Sequence, residues 1–323
     1  MKSFIGRQNT LSSLNELYQQ DEARLVLLHG RRRVGKTRLI HEFTKDKQGV
    51  FFFTGVETSE KENKQKADQK IQIKNFLSTL SRLAQKSIYD QVVPTTWDNA
   101  LGLLDECLPP KGQPCCLVLD ELPWMAGNRL DLVRSLFKLW ETRWSQRKNF
   151  ILIVCGSSVG FLDKHFIRSS QFYGRASLSL HLPPLTLSEV VSFFGRSRSF
   201  AEILELTMVF GGIPKYLEEI TARDSVHQTV NRLCFAADSF FIEEAEHLLR
   251  SSFARESDKY KRVIKALVKS ESYDYDGLAA QANSAKGSSF KRILDNLVHS
   301  DIIERYTPVD KNGPTNFVRF KLS

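Results

Sequence analysis

One eight-residue segment near the N-terminus constrains the fold of this 323-residue chain more than any other part of its sequence. The segment reads GRRRVGKT over residues 30–37 and fits the pattern GxxxxGK[ST] at every fixed position. An apolar run at residues 25–28 precedes it and a helical pattern follows, which is the context that the pattern requires. Because its glycines let the backbone curl so that successive N–H groups point inward, the segment is typical of a phosphate-binding loop.

The residues of this loop predict how a nucleotide would be held. Lys36 is expected to reach the β- and γ-phosphates, and the Thr37 hydroxyl to coordinate Mg²⁺. The helix that begins near Lys36 adds its positive N-terminal end. The arginines at residues 31–33 occupy variable positions, where they either reach phosphate or an acidic neighbour, or remain solvated. The predicted nucleotide-binding residues of the loop and the following helix are Gly30, Arg33, Val34, Gly35, Lys36, Thr37 and Arg38.

Two carboxylates follow the most apolar of the predicted strands, at residues 116–119. Ligands of an open α/β sheet bind at the carboxyl ends of its strands. There Asp120 suits the shell of Mg²⁺, so the predicted metal ligands are Thr37 and Asp120, and Glu121 is placed to orient or deprotonate a water. The alternative is an ordinary acidic turn before Pro123. An acidic residue directly after the aspartate favours hydrolysis over a small-molecule kinase reaction.

Two further polar positions are candidates for the same site. Ser157 and Ser158 follow the apolar run at residues 151–155, where a hydroxyl would lie between the carboxylates and a γ-phosphate; a helix N-cap or turn is the alternative. Arg175 precedes the alternating segment 176–182 and either places a cation near the transferred charge or is a surface arginine. The predicted catalytic residues are Lys36, Asp120, Glu121, Ser157 and Arg175.

The order of strand and helix patterns predicts an α/β fold with a mostly parallel sheet covered on both faces. The strand candidates are residues 25–28, 50–53, 116–119, 151–155 and 176–182. The charge-dense stretch 57–74 predicts a solvated loop or an exposed helix. Residues 186–250 show successive helical patterns without a convincing strand.

The last part of the chain predicts a winged helix-turn-helix. Three helical patterns are followed by two short strand patterns, at residues 302–306 and 317–322, which are expected to pair as a hairpin around Asp310, Asn312 and Gly313. The predicted domains are therefore a P-loop core (1–184), a helical lid (185–254) and a winged helix (255–323).

The composition predicts a folded protein with polyanionic partners. A hydrophobic content of 41% supports packed cores, and a net charge of +9 favours nucleotide phosphates or nucleic acid. The five cysteines show no zinc-like spacing, and the N-terminus lacks a signal-peptide pattern. We expect a cytoplasmic protein without a membrane segment.

Several ordered segments resemble the archaeal-type ATPase family, which belongs to the STAND branch of AAA+-like P-loop ATPases. The segments are FIGR (4–7), GRRRVGKT (30–37), LDELPW (119–124), CGSS (155–158), YGR (173–175) and GGIPKY (211–216). The resemblance implies a P-loop sheet of the ASCE type in the strand order 2-3-4-1-5, followed by a lid and a winged helix. Many members continue into a nuclease-like domain; this sequence ends at Ser323, and we assign it no nuclease activity.

The resemblance also implies roles for residues outside the loop. The segment before the first helix, with Ile5, Gly6 and Arg7, is expected to hold adenine. Gly212 and Pro214 are expected to connect the nucleotide state to the lid. In such proteins bound ADP or ATP decides how the domains are arranged.

Two function classes stay open. The first is an Mg²⁺-dependent ATPase switch that binds ATP or ADP and contacts double-stranded DNA. Residues 258–323 hold 12 basic and eight acidic residues, and the candidate DNA contacts are Ser289, Lys291, Arg292, Arg305 and Arg319. The second is a nucleotide-gated scaffold that hydrolyses ATP slowly or not at all and binds a protein partner or a second copy of itself.

Overall fold

A computed structural model describes residues 4–57, 65–87, 89, 96–127, 130–157, 159–253, 257–269, 274–300, 302–306 and 317–320. The chain divides into two compact units. The first, called the sheet unit, comprises residues 7–29 and 36–182; the second, called the C-terminal unit, comprises residues 1–6, 30–35 and 183–323.

The sheet unit is built on five parallel strands in the order β2-β3-β4-β1-β5. The parallel sheet confirms the α/β fold predicted from the residue patterns, and its order confirms the one that the resemblance implies. The central strands β3 and β4 are buried along their whole length, as expected for a parallel sheet that is covered on both faces. The strands are β1 (Ala23–His29), β2 (Val50–Thr54), β3 (Cys115–Asp120), β4 (Phe150–Gly156) and β5 (Leu178–His181).

Helices precede the first of these strands and connect the others. In the described part of the sheet unit they include α1 (Gln8–Tyr18), α2 (Lys36–Thr44), α3 (Gln65–Ala84), α4 (Trp97–Cys107), α5 (Leu122–Ala126), α6 (Asp131–Thr142) and α7 (Val159–Leu162). A 3₁₀ turn, Trp144–Gln146, follows α6, and a π-helical turn, Asp163–Ile167, extends α7.

Helix α3 corrects part of one expectation from the sequence. Residues 58–64 of the charge-dense stretch lie outside the described residues, and its C-terminal end belongs to α3, where Lys70, Ile71 and Lys74 are exposed but Gln72 and Ile73 are buried. Ile73 packs in the sheet unit's core with Phe76 of the same helix. Gln72 is 4% exposed, and its amide pairs with both the N–H and the carbonyl oxygen of Val56. The many charged residues around Gln72 and Ile73 are why the burial of these two residues was not predicted from the sequence.

The regular secondary structure of residues 183–253 of the C-terminal unit, all of which the structure describes, consists of helices joined by turns and short loops. Capping boxes at Thr186, Ser199 and Ser225 satisfy backbone N–H groups at the starts of three of them. The helices are α8 (Leu187–Phe194), α9 (Phe200–Phe210), α10 (Pro214–Glu218), α11 (Val226–Val230), which a π-helical turn extends (Asn231–Phe235), and α12 (Phe240–Phe253).

The chain then forms three more helices and a two-stranded antiparallel hairpin, here called the C-terminal module. Its own apolar core includes Tyr260, Leu278 and Phe290. The element order is the one predicted for a winged helix, although the expected turn residues Asp310, Asn312 and Gly313 lie outside the described residues. The elements are α13 (Ser257–Val268), α14 (Tyr275–Gln281), α15 (Ser288–His299), β6 (Ile303–Tyr306) and β7 (Phe317–Phe320).

Among the described residues, no helix combines the length and the apolar character that crossing a membrane requires.

Candidate functional site

The phosphate-binding loop lies between β1 and α2 and is curled at three positions with positive φ. Gly30 has φ 151°, Arg33 has φ 70° and Gly35 has φ 97°. A left-handed conformation costs a residue with a Cβ roughly 1–2 kcal/mol, so Arg33 needs interactions that hold it there. Val34 is 1% exposed and anchors the loop.

At the start of α2, the two side chains that define the motif lie in the sheet unit with Asp120. Lys36 is buried, with only 5% of the residue exposed. The Thr37 hydroxyl donates a hydrogen bond to Oδ2 of Asp120, with an oxygen–oxygen distance of 2.7 Å. The structure therefore brings together the two predicted metal ligands, although they are 83 residues apart in sequence.

This pair of oxygen ligands fits Mg²⁺. The ion usually takes one or two protein oxygens and keeps several waters, and a threonine hydroxyl beside a carboxylate supplies such oxygens. Asp120 is 1% exposed at the end of β3, where its buried neighbour Cys155 stays neutral. Burial raises the pKa of the Cys155 thiol well above its usual value, and the charge of Asp120 raises it further.

Glu121 is held by Ser157 across the ends of β3 and β4. The backbone N–H and the hydroxyl of Ser157 both donate to Oε2 of Glu121, at 3.1 and 2.8 Å. Glu121 itself adopts φ 48°, a left-handed conformation, and its own N–H donates to Oδ1 of Asp120 at 3.1 Å. Ser157 thus contacts the predicted catalytic carboxylate directly, and its sensing of a γ-phosphate stays a prediction. Ser158 lies outside the described residues.

Two glycines leave room for the turn that carries Asp120 and Glu121, here called the carboxylate turn. A Cβ on Gly55, which follows β2, would lie 2.4 Å from the carbonyl oxygen of Glu121. A Cβ on Gly156, at the end of β4, would lie 2.7 Å from Cδ of Pro123. Gly55 was not among the residues predicted from the sequence; its position directly after β2, at the ligand-binding edge of the sheet, was the available signal.

Arg175 pairs with a carboxylate of helix α6. Its Nε donates to Oε1 of Glu141 at 2.5 Å, and its Nη2 donates to Oε2 at 3.2 Å. Its guanidinium carbon lies 5.3 Å from the ring centroid of Phe137, also on α6. The hydrogen bonds from Arg175 lower the pKa of Glu141. Among the described residues, the contacts of Arg175 are with α6 and with its own turn, so its catalytic role stays a prediction.

The residues that the resemblance assigned to adenine and to the lid have constrained backbones. Gly6 has φ 73°, and a Cβ there would meet the Glu189 carboxylate at 2.4 Å. Arg7 also has a positive φ, 63°, and is 9% exposed. Pro214 begins α10, and its Cγ would be 3.8 Å from a Cβ on Gly35 of the loop. Ile5 is partly buried, whereas Arg38 is exposed on α2.

The candidate DNA-binding side chains lie in the C-terminal module. Ser289, Lys291 and Arg292 are exposed on α15, between core positions of the same helix. Arg305 is paired with Asp295 at 2.9 Å, which leaves its guanidinium partly neutralised. Arg319 lies opposite Glu304 in the register of the β6–β7 hairpin.

Comparison with known proteins decides the family. Residues 4–220 match the profile of a family described as an ATPase domain found predominantly in Archaea. The match covers more than half of the chain and includes the loop, the carboxylate turn and the Gly-Ile-Pro segment. The chain belongs to this ATPase family.

Relatives of this archaeal-type ATPase extend the likeness over the rest of the chain. An uncharacterized protein of Methanocaldococcus jannaschii is 23% identical over 317 residues, which cover 96% of this chain and 64% of the relative. The chain therefore spans about two thirds of that relative's length.

Solved structures show the same fold. A Walker-type ATPase of Pyrococcus abyssi aligns with a TM-score of 0.68 at 19% identity, covering 97% of this chain and 93% of that one. The ORC2 protein of Aeropyrum pernix, solved as ADPNP–ADP complexes, aligns with a TM-score of 0.56 at 13% identity, covering 99% and 92%. At these identities the likeness establishes the P-loop ATPase fold alone.

Proposed function

We propose that this ATPase-family chain hydrolyses ATP with Mg²⁺ and acts as a switch. Its bound nucleotide would set the arrangement of the helical segment 185–254 and a winged helix at 255–323. One observation carries the proposal: the Thr37–Asp120 hydrogen bond and the Ser157–Glu121 hydrogen bonds lie on consecutive residues at the end of β3. A metal-binding carboxylate and a water-orienting carboxylate therefore have separate partners.

Each residue has a role that follows from its chemistry. Lys36 would neutralise the β- and γ-phosphates, and the backbone N–H groups of residues 30–35 would cradle them. Thr37 and Asp120 would hold Mg²⁺, which supplies charge neutralisation on the phosphate oxygens when bound. Phosphoryl transfer depends mainly on positioning and electrostatics, and these residues provide both.

Glu121 would orient the attacking water and accept its proton. Both Ser157 donors go to one oxygen, Oε2, and among the described residues Oε1 accepts no hydrogen bond. That oxygen is the one that would receive the water. A positioned general base contributes about 10²–10⁴-fold to a rate, so Glu121 carries a large share of the proposed turnover.

The switch is supported by the assignment of the phosphate-binding loop to the C-terminal unit. Residues 30–35 pack with the C-terminal unit, while Lys36 starts a helix of the sheet unit. A phosphate-binding loop that contacts the C-terminal helices can transmit the state of its nucleotide to them. DNA is the partner favoured by the exposed Lys291 and Arg292 on α15.

A nucleotide-gated scaffold is the second candidate, and helix α9 favours it. Phe200, Leu204 and Met208 recur every four residues and are 61%, 39% and 76% exposed. An apolar stripe on an exposed helix is typical of a surface that binds another protein.

Titration calorimetry with Mg–ATP and phosphate release, each with and without duplex DNA, separate the two candidates. The switch predicts binding, turnover and a change in turnover with DNA, all lost in Lys36→Ala. The exposed Lys45 on the adjoining turn supplies the control, Lys45→Ala. Binding without turnover or any DNA effect would instead establish the scaffold.

A further inference from the structure

Helix α12 presents one face to the phosphate-binding loop. Phe240, Glu244 and His247 are spaced four and three residues apart, so they lie on the same side of the helix. Nη2 of Arg33 is 2.6 Å from Oε2 of Glu244, and the guanidinium carbon is 5.5 Å from the Phe240 ring centroid. The neighbouring Arg32 places Nη1 3.4 Å from Nδ1 of His247.

The ion pair between Arg33 and Glu244 is buried and not a solvated surface contact. The Glu244 side chain is 3% exposed and that of Arg33 is 24% exposed. Burial raises the pKa of Glu244, and Arg33 opposes that shift. A buried carboxylate that loses its partner is strongly destabilised, so the two side chains depend on each other.

Tyr216, in the segment GGIPKY (211–216), also contacts Glu244. The Tyr216 hydroxyl donates to Oε1 of Glu244 at 3.4 Å, and burial raises its pKa to about 12, so it remains a neutral donor. Glu244 therefore touches the loop with one oxygen and helix α10 with the other.

Arg33 is itself held under constraint. Its φ of 70° is left-handed, and its Nη1 is buried with no hydrogen-bond acceptor among the described residues. Any rearrangement of the loop around a phosphate group would move this guanidinium. Glu244 is the charged group that would follow.

The opposite end of α12 meets the C-terminal module. Leu249 packs against the module's apolar core, and Glu246 pairs with Lys261 of α13 at 3.3 Å. The exposed ion pair contributes little, so the apolar packing is the stronger link. One helix thus contacts the phosphate-binding loop near its start and the module near its end.

We propose that Glu244 is a positioning residue that couples the phosphate-binding loop to the C-terminal module through its ion pair with Arg33. The inference rests on the proposed function, because a nucleotide must occupy the loop. Binding of Mg–ADP would restrict the motion of the loop. Through the Arg33–Glu244 ion pair, this would also restrict the motion of α12 and of α13, which packs against it.

Hydrogen exchange with and without saturating Mg–ADP tests the proposal. In the wild type, ADP should slow amide exchange in peptides spanning 240–249 and 257–268 on the order of tenfold, a typical coupling between sites. In Glu244→Gln, which keeps ADP binding, and in Arg33→Gln at an ADP concentration that saturates this variant, the slowing should fall below about twofold, less than a typical coupling between sites. Glu243→Gln, one residue away and exposed, should behave as the wild type.

The double variant Arg33→Gln/Glu244→Gln keeps the test valid if a single variant unfolds, because neutral partners replace the buried charges. ADP-induced slowing of amide exchange should decrease in the double variant by as much as in each single variant, and not by the sum of the two decreases. Tenfold slowing retained in Glu244→Gln or in the double variant would overturn the proposal and leave the ATPase function standing. A wild type that binds no Mg–ADP would overturn both.

Discussion

Ser157 donates two hydrogen bonds to one oxygen of Glu121, from its backbone N–H at 3.1 Å and from its hydroxyl at 2.8 Å. The residues lie at the ends of adjacent strands, β3 and β4, and are 36 positions apart. Two donors on a single oxygen fix the plane of the carboxylate and turn the other oxygen towards whatever the site binds. The proposed catalytic base is therefore oriented by a residue at the end of the neighbouring strand.

Removal of the Ser157 hydroxyl should slow turnover without weakening nucleotide binding. In Ser157→Ala the backbone donor remains, so the loss is one hydrogen bond that orients Glu121, worth about 1 kcal/mol, and kcat should fall roughly fivefold at constant KM. Ser157→Thr keeps a hydroxyl and should retain most of the rate. Steady-state phosphate release over a range of ATP concentrations measures both constants. A raised KM with unchanged kcat would mean that Ser157 binds nucleotide and does not position Glu121.

Loss of the Asp120 charge should change the dependence on Mg²⁺. Asp120→Asn keeps one oxygen, which can accept the Thr37 hydroxyl, replaces the oxygen that accepts the Glu121 N–H by an amide nitrogen, and removes the charge that favours a hard cation. We expect the Mg²⁺ concentration for half-maximal turnover to rise at least about tenfold, equivalent to one lost charge-assisted interaction of about 1.4 kcal/mol. Asp98→Asn on α4, which breaks only an exposed pair with Lys138, is the control. Identical Mg²⁺ curves for the wild type and Asp120→Asn would contradict the assignment.

A methyl group at Gly55 should destabilise the fold around the carboxylate turn. The added Cβ would lie 2.4 Å from the Glu121 carbonyl oxygen and 2.9 Å from the Met125 nitrogen, both backbone atoms that cannot swing aside. The expected loss is about 1–3 kcal/mol of the free energy of unfolding. Gly102→Ala is the matched control, since nothing lies within 4 Å of its Cβ in helix α4 and the change should stabilise by roughly 0.5–1 kcal/mol. Urea unfolding of the two variants should therefore shift in opposite directions.

The DNA-linked form of the proposal predicts a salt-sensitive contact at α15. Replacement of both Lys291 and Arg292 by alanine should reduce the slope of log affinity against log salt by about 2, if each neutralises one phosphate. Arg196→Ala, exposed elsewhere in the C-terminal unit, should leave the slope unchanged. Fluorescence anisotropy of a labelled duplex at several salt concentrations measures the slopes. Equal slopes for the wild type and the double variant would remove α15 from the DNA interface.

The sequence predicted the phosphate-binding loop and the carboxylate turn because both are local patterns. The apolar runs at residues 116–119 and 151–155 lie within β3 and β4, and Asp120 follows at the predicted strand end. The strand order, in contrast, came from the family resemblance. Periodicity alone does not say which strands are neighbours, since β1 pairs with β4 and β5 and not with β2.

The contacts between distant segments were beyond the reach of pattern analysis. Arg33 and Glu244 pair across more than 200 positions, and nothing in either local sequence selects that partner. Arg175 was expected near the transferred charge or at the surface, and its pairing with Glu141 depends on how α6 packs. The burial of Ile73 in α3 was missed because this residue lies at the end of a charge-dense stretch that dominates the local composition.

The central claim, that Glu121 activates water for ATP hydrolysis, is tested most directly by phosphate release from Mg–ATP by the wild type and Glu121→Gln. Glutamine keeps the hydrogen-bond acceptor for Ser157 but cannot take a proton. The account predicts that Glu121→Gln binds Mg–ATP as tightly as the wild type while its turnover falls by about 10²–10⁴-fold. Equal turnover by the two proteins, or a wild type that binds Mg–ATP and releases no phosphate, would contradict it.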